Sequence, residues 1–131
     1  MRNLSTCLLA LVLALSVAAC GGGKNKNSGG KAVTFAKGQT VAVSGREFKF
    51  DPSSVVVTGG GGAIKFDFKN AGTSAHNLKI QSGSQDVAGS DTFQGGRSES
   101  FTANLKPGTY TLICTVGDHA SLGMKGTLTV K

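Results

Sequence analysis

Residues 107–131 read PGTYTLICTVGDHASLGMKGTLTVK, and this stretch decides the fold. Pro107-Gly108 is a turn. Tyr110-Thr111-Leu112-Ile113-Cys114 then runs as a strand, and its alternation puts Tyr110, Leu112 and Cys114 on one inward face. Gly126–Lys131 (GTLTVK) closes the chain as another strand with Leu128 and Val130 inward. Between the two lies a loop of the form Cys114-x4-His119-x4-Met124, each end of which borders a strand.

Upstream, short strand-like runs follow one another. They are Ala32-Val33-Thr34-Phe35, Thr40-Val41-Ala42-Val43, Phe48-Lys49-Phe50 and Val55-Val56-Val57. Ile64 to Asn70 alternates cleanly, with Ile64, Phe66 and Phe68 on one face; Leu78-Lys79-Ile80 repeats this more briefly, and Phe101 starts a further strand. Twenty glycines and two prolines, Pro52 and Pro107, punctuate the runs, and no stretch has a helical period of useful length. Residues Gln81 to Gly96 are polar and glycine-rich and read as a long excursion with one helical turn near Asp86 to Ala88. The pattern predicts an all-β, Greek-key β-sandwich of seven or eight strands. An immunoglobulin-type domain would share the pattern, but its Cys-Trp-Cys signature is missing, since the chain has no Trp.

The beginning of the chain reads as an export signal over residues 1–19. Met1-Arg2 is the positive start, and Leu8 to Ala18 is an apolar run too short to span a bilayer. Val17-Ala18-Ala19-Cys20 looks like a bacterial lipobox, which would make Cys20 the lipidated N-terminus of an exported, membrane-anchored lipoprotein on the periplasmic or extracytoplasmic face. The other reading is an ordinary secretory signal followed by a chance Cys. Residues 20–30, from Cys20 through GGGKNKNSGG, form a flexible tether. Residues 31–131 form one domain, long enough for a single core.

The formal charge is +7, or +6 once Arg2 leaves with the signal. That balance suits an acidic partner protein or an anionic membrane surface. Nucleic acid is excluded as a partner on the exported compartment, the few aromatics and the spread of the lysines. Of three cysteines, Cys7 lies in the signal and Cys20 in the lipobox, so Cys114 is the domain's single thiol. Free thiols tend to oxidise outside the cytoplasm, and metal ligation is one explanation for such a cysteine.

The chain has two histidines, His76 and His119, and two methionines, Met1 and Met124. His76, Cys114, His119 and Met124 therefore make up the domain's whole stock of soft and imidazole donors. Two imidazoles and a thiolate in a trigonal plane, with a weak axial thioether, are the ligand set of a type 1 copper centre. Taken singly, His76 reads as a structural histidine, Met124 as a core filler and Cys114 as an inert buried thiol. Their joint occurrence in this order points to one metal ion. Zinc competes for the two His and the Cys but accepts thioether poorly, which favours copper.

The chain resembles the cupredoxin family, which includes plastocyanin, azurin, pseudoazurin and auracyanin. The resemblance spans Val33 to Val130 and includes Phe48-x-Phe50-x-Pro52, Asn70-x-Gly72, His76-Asn77, Pro107-Gly108-Thr109-Tyr110 and Gly126-Thr127-Leu128. The ligand loop is a hybrid, with an azurin-like Cys-to-His gap and a plastocyanin-like His-to-Met gap, a combination similar to auracyanin. The resemblance implies that Cys114 is the principal electronic ligand, that His76 is the buried imidazole, and that electrons pass through the ring edge of His119. Ala120 and Leu122 beside it would line a docking patch for redox partners. Asn77 and Thr115 would interlock the two ligand segments, and the backbone N–H groups of Asn77 and Val116 would both point at the Cys114 sulfur and raise the potential. Asp118 is a departure, where a small or neutral residue is expected; a carboxylate there should favour Cu(II) slightly.

No catalytic set is visible, so the expectation is a monomeric single-electron carrier and not an enzyme. An exported protein that delivers copper could use the same four residues, and a metal-free structural or adhesion sandwich would use none of them.

Overall fold

The structure is a computed structural model that describes residues 30–131. The signal at 1–19, Cys20 and nearly all of the 20–30 tether lie outside the described residues. Among the described residues there are ten strands: β1 (Val33–Ala36), β2 (Val41–Arg46), β3 (Lys49–Asp51), β4 (Ser54–Thr58), β5 (Gly62–Asn70), β6 (Lys79–Ser82), β7 (Gln85–Gly89), β8 (Ser98–Leu105), β9 (Gly108–Ile113) and β10 (Lys125–Val130). They form a six-stranded sheet in the order β1-β4-β10-β9-β6-β7 and a four-stranded sheet in the order β3-β2-β5-β8. The β1/β4, β4/β10 and β2/β5 pairs are parallel. The other pairs are antiparallel.

The β-sandwich expected from the pattern is the one observed. Among the described residues its strands number ten against the expected seven or eight, and β7 is the one that no strand-like run in the sequence marks. The helical turn expected near Asp86 to Ala88 is not there: Gln85–Gly89 pairs with Lys79–Ser82 through a bulge after Ile80. The physical reason is that β6 offers an unpaired edge, and four residues of β7 lie in register along it, which gives their backbone partners that an isolated turn would lack. β7 faces solvent, so no apolar alternation marks it in the sequence.

Alternation elsewhere maps directly onto burial. Along β5, Ile64, Phe66, Phe68 and Asn70 are buried while Ala63, Lys65 and Lys69 are exposed. Val41 and Val43 are buried beside them from β2 of the same sheet, and Val55, Val57, Leu112, Leu128 and Val130 are buried from the facing sheet. Each such side chain contributes about 1.5–3 kcal/mol by leaving water. The aromatic rings interlock as well: Phe66 stacks on Phe101 at 5.2 Å, and Phe68 meets Phe50 and Phe93 edge-on at 5.9 and 5.6 Å.

The strand register carries the ligand segments to one end of the sandwich. Ile113 pairs with Lys125 across β9 and β10, so Cys114 and Met124 are the next residues on either side. Ile113 also pairs with Lys79 across β9 and β6. Continuing that antiparallel register brings Asn77 opposite Thr115, and His76 one step further. His76 is held there by a two-way bridge to Phe93, with N–H to O distances of 3.1 Å in both directions.

Candidate metal centre

The Cys114–Met124 segment folds back on itself through main-chain bonds. The His119 amide donates to Val116 O at 3.1 Å, the Leu122 amide to Asp118 O at 3.1 Å and the Met124 amide to His119 O at 3.0 Å. The Cys114 amide then donates to Met124 O at 3.1 Å and closes the loop at its base. These bonds bring residues five and ten apart in sequence to a common point.

His76, Cys114 and His119 present three donor atoms to that point. The two Nδ1 atoms are 3.1 Å apart, and Cys114 Sγ lies 3.9 Å from His76 Nδ1 and 3.6 Å from His119 Nδ1. An ion about 2.0–2.1 Å from each nitrogen and about 2.3 Å from a thiolate sulfur fits inside a triangle of these sides, close to its plane. The donor triangle therefore suits a trigonal His2Cys arrangement. Among the described residues, these three form the one group of His, Cys and carboxylate side chains with metal-ligand spacing.

Met124 supplies the fourth side chain. It is fully buried, and its Cε reaches the β2 backbone: a Cβ on Gly45 would lie 2.9 Å from Met124 Cε and 2.9 Å from the Phe68 ring. Gly45 thus lets the end of the Met124 side chain approach the β2 backbone. His76, Cys114, His119 and Met124 are positioned as a type 1 copper site, and thioether among the donors favours copper over zinc.

Burial separates the two imidazoles. His76 is fully buried, while His119 is partly open to solvent. Phe48, in the turn between β2 and β3, packs on His119 with ring centroids 4.8 Å apart and meets His76 edge-on at 6.4 Å. Burial pushes the His76 imidazole below its ordinary pKa, against the opposing pull of Glu47. A neutral imidazole is the form a metal requires.

Around the donors, Asn77 and Thr115 meet directly. Asn77 Nδ2 donates to Thr115 Oγ1 at 2.9 Å, and the Thr115 amide donates to Asn77 Oδ1 at 2.8 Å. Asn77 Nδ2 also donates to Thr92 Oγ1 at 3.0 Å. The expected amide donors to the thiol are not formed: among the described residues the hydrogen-bond neighbours of Cys114 Sγ are the two imidazole nitrogens, and the amides of Asn77 and Val116 do not reach it. Asp118 is exposed in the loop, and Leu122, 52% exposed, stands beside it.

Two features of the site were not read from the sequence. Glu47 places Oε1 3.3 Å from His76 Nε2 and accepts the Thr73 and Ser74 amides at 2.7 Å each. The Ser74 amide, its own amide and the Thr73 amide, with a smaller part from the His76 ring, hold the Glu47 carboxyl down at about 2. Asn70 is the other. It is buried; its Nδ2 donates to Ser74 O at 2.9 Å and Phe93 O at 2.8 Å, and its Oδ1 accepts the Gly72 amide at 3.1 Å. Only the Asn70-x-Gly72 spacing hinted at this turn.

Comparison with known proteins agrees with the geometry. Residues 36–131 match the family model for copper binding proteins of the plastocyanin/azurin family. The chain is 38% identical over 96 residues to a plastocyanin of Dryopteris crassirhizoma, covering 64% of this chain and 89% of that protein. Reduced auracyanin from the photosynthetic bacterium Roseiflexus castenholzii superposes with a TM-score of 0.63 at 26% identity, covering 70% of this chain and 96% of that one. Rusticyanin from Thiobacillus ferrooxidans shares the fold with a TM-score of 0.64 at 23% identity, over 78% of this chain and 83% of that one. The fold, the donor triangle and the matched residues together place this chain in the copper-binding plastocyanin/azurin family, the cupredoxins.

Proposed function

We propose that the protein is a single-electron carrier whose copper cycles between Cu(II) and Cu(I), with electrons passing through the exposed edge of His119. The observation that carries this reading is the triangle of Nδ1, Nδ1 and Sγ atoms, with sides of 3.1, 3.6 and 3.9 Å, with Met124 fully buried at the base of the same loop. Copper supplies the one-electron couple when bound. The protein's part is to hold the donors in place in a packed interior, so that little rearrangement accompanies the change of charge. Four protein ligands leave no position for a substrate, which supports a carrier and not an enzyme.

Partner docking at the His119 face belongs to the same proposal. His119, Ala120 and Leu122 lie on the loop's outer side, and an open groove lined by Phe48, Lys49, Leu122, Gly123 and Lys125 adjoins them. A half-open imidazole ringed by apolar side chains suits brief, small-area contact, and Lys49 and Lys125 suit an acidic partner. The sequence of residues 1–20 supports export and lipid anchoring through Cys20, which holds a monomeric domain near a membrane.

Burial of His76, Cys114 and Met124 favours retention of the ion over its delivery to another protein. The test is repeated oxidation and reduction of the copper-loaded domain in the presence of a copper-free acceptor protein. The carrier reading expects copper to stay bound through many cycles, and transfer of the metal to the acceptor would contradict it.

A further inference from the structure

Glu47 sits in the turn between β2 and β3, 29 residues before His76. Its Oε1 accepts two amide N–H groups from the segment that leads into His76, Thr73 and Ser74, and faces the His76 ring itself. Thr73 Oγ1 is a further contact at 3.4 Å. The seat is shaped around this oxygen. A Cβ on Gly72 would collide with the Glu47 carboxylate, and one on Gly95 would collide with the Gly72 carbonyl. Gly72 thus leaves the space the carboxylate occupies, and Gly95 lets the Gly72 backbone pass close by.

We propose that Glu47 is a positioning residue of the metal centre: its carboxylate accepts the His76 Nε2–H, turns Nδ1 toward Cys114 and His119, and lays a negative charge behind the copper. The inference rests on the copper reading above and deepens it. An oxygen that already takes two amide protons is an acceptor, so Nε2 is the ring nitrogen that carries the proton. Nδ1 then keeps its lone pair, aimed at the other two donors 3.1 and 3.9 Å away. A carboxylate behind a ligating imidazole fixes the ring and makes it a stronger donor. Its charge stabilises Cu(II) more than Cu(I). The β2–β3 turn then governs both imidazoles at once, Glu47 from behind His76 and Phe48 against the face of His119.

The test compares wild type, Glu47→Gln and Glu47→Ala by three readouts. These are the reduction potential of the copper form, the Cu(II) affinity, and the protonation site of His76 in metal-free protein by nitrogen-15 NMR. Wild type should carry its His76 proton on Nε2, in slow exchange with water. E47Q should keep the blue absorption and raise the potential; each tenfold loss of preference for Cu(II) over Cu(I) reads as about 59 mV. E47A should lose the slow exchange and bind Cu(II) about 10–100-fold more weakly. An E47Q potential equal to wild type overturns the inference, as does a His76 proton on Nδ1. A fall in thermal stability with no other change also overturns it, because Glu47 would then only tie the loop. Should E47A fail to fold, E47Q and the wild-type NMR decide. If wild type takes up no copper, the copper reading fails, and the metal-free NMR still decides whether Glu47 orients His76.

Discussion

Asn77 and Thr115 exchange two hydrogen bonds, at 2.9 and 2.8 Å, across 38 residues of sequence. Each follows a metal donor directly, Asn77 after His76 and Thr115 after Cys114. The pair therefore fixes the distance between an imidazole and the thiol before any metal arrives. Asn77→Ala leaves the Thr115 amide without its acceptor and removes three side-chain bonds. The expected cost is about 2–4 kcal/mol, measured by urea unfolding of the metal-free domain. The copper form should also show a shifted visible band, because the two segments can slide. A variant with wild-type stability and spectrum would show that the pair does not hold the site.

Gly45 and Met124 make a second constraint. A Cβ at position 45 would sit 2.9 Å from Met124 Cε and from the Phe68 ring, too close for either to stay. Gly45→Ala should destabilise the fold by about 1–3 kcal/mol through overpacking. It should also displace the thioether and change the potential and the electron paramagnetic resonance of the copper form. Unchanged spectra with lowered stability would mean that Phe68 alone moves.

The copper-free domain should weaken as the solution becomes acidic. The Glu47 carboxyl is held at about 2 against an ordinary 4.5, so between those values the unfolded chain binds the proton and the native chain does not. Its contribution is complete above about pH 4.5 and is lost as pH falls toward 2. His76 acts in the same direction: burial keeps its ring neutral below its ordinary 6.5, where the unfolded chain is already charging. Urea midpoints should fall steadily from about pH 7 to about pH 3. Glu47→Gln should flatten the curve below 4.5 and, by removing the pull that Glu47 exerts on His76, steepen the part above it. A Glu47→Gln curve parallel to wild type below 4.5 would contradict this account.

Asp118 stands one residue before His119, exposed at the proposed docking face. Asp118→Asn should raise the potential slightly and change the salt dependence of electron transfer to a partner. No change in either would leave Asp118 a solvated loop residue.

The sandwich and the four ligands were legible because each leaves a local or combinatorial signal. Ile64, Phe66 and Phe68 alternate with polar neighbours, and a domain with one Cys, one Met and two His leaves few ways to combine its donors. Asn77 and Thr115 follow ligands directly, and their interlock was implied by the family resemblance. Glu47 had no such mark. It lies 29 residues from His76, in a two-residue turn whose position depends on the whole hairpin, and a lone carboxylate among seven acidic residues stands out by nothing in its surroundings. Phe48 was noted as part of a Phe-x-Phe-x-Pro run, but its contact with His119 follows from the same turn and was equally hidden. β7 escaped notice because a solvent-facing edge strand buries too little to need an apolar pattern.

The most direct measurement is a Cu(II) titration of the purified domain, followed in the visible range, beside Cys114→Ser. The account predicts uptake of one equivalent, an intense blue absorption that vanishes on reduction and returns on oxidation, and no such band in the variant. A wild-type domain that folds with a reduced thiol yet gives no absorption with Cu(II), or one whose band survives Cys114→Ser, would contradict it.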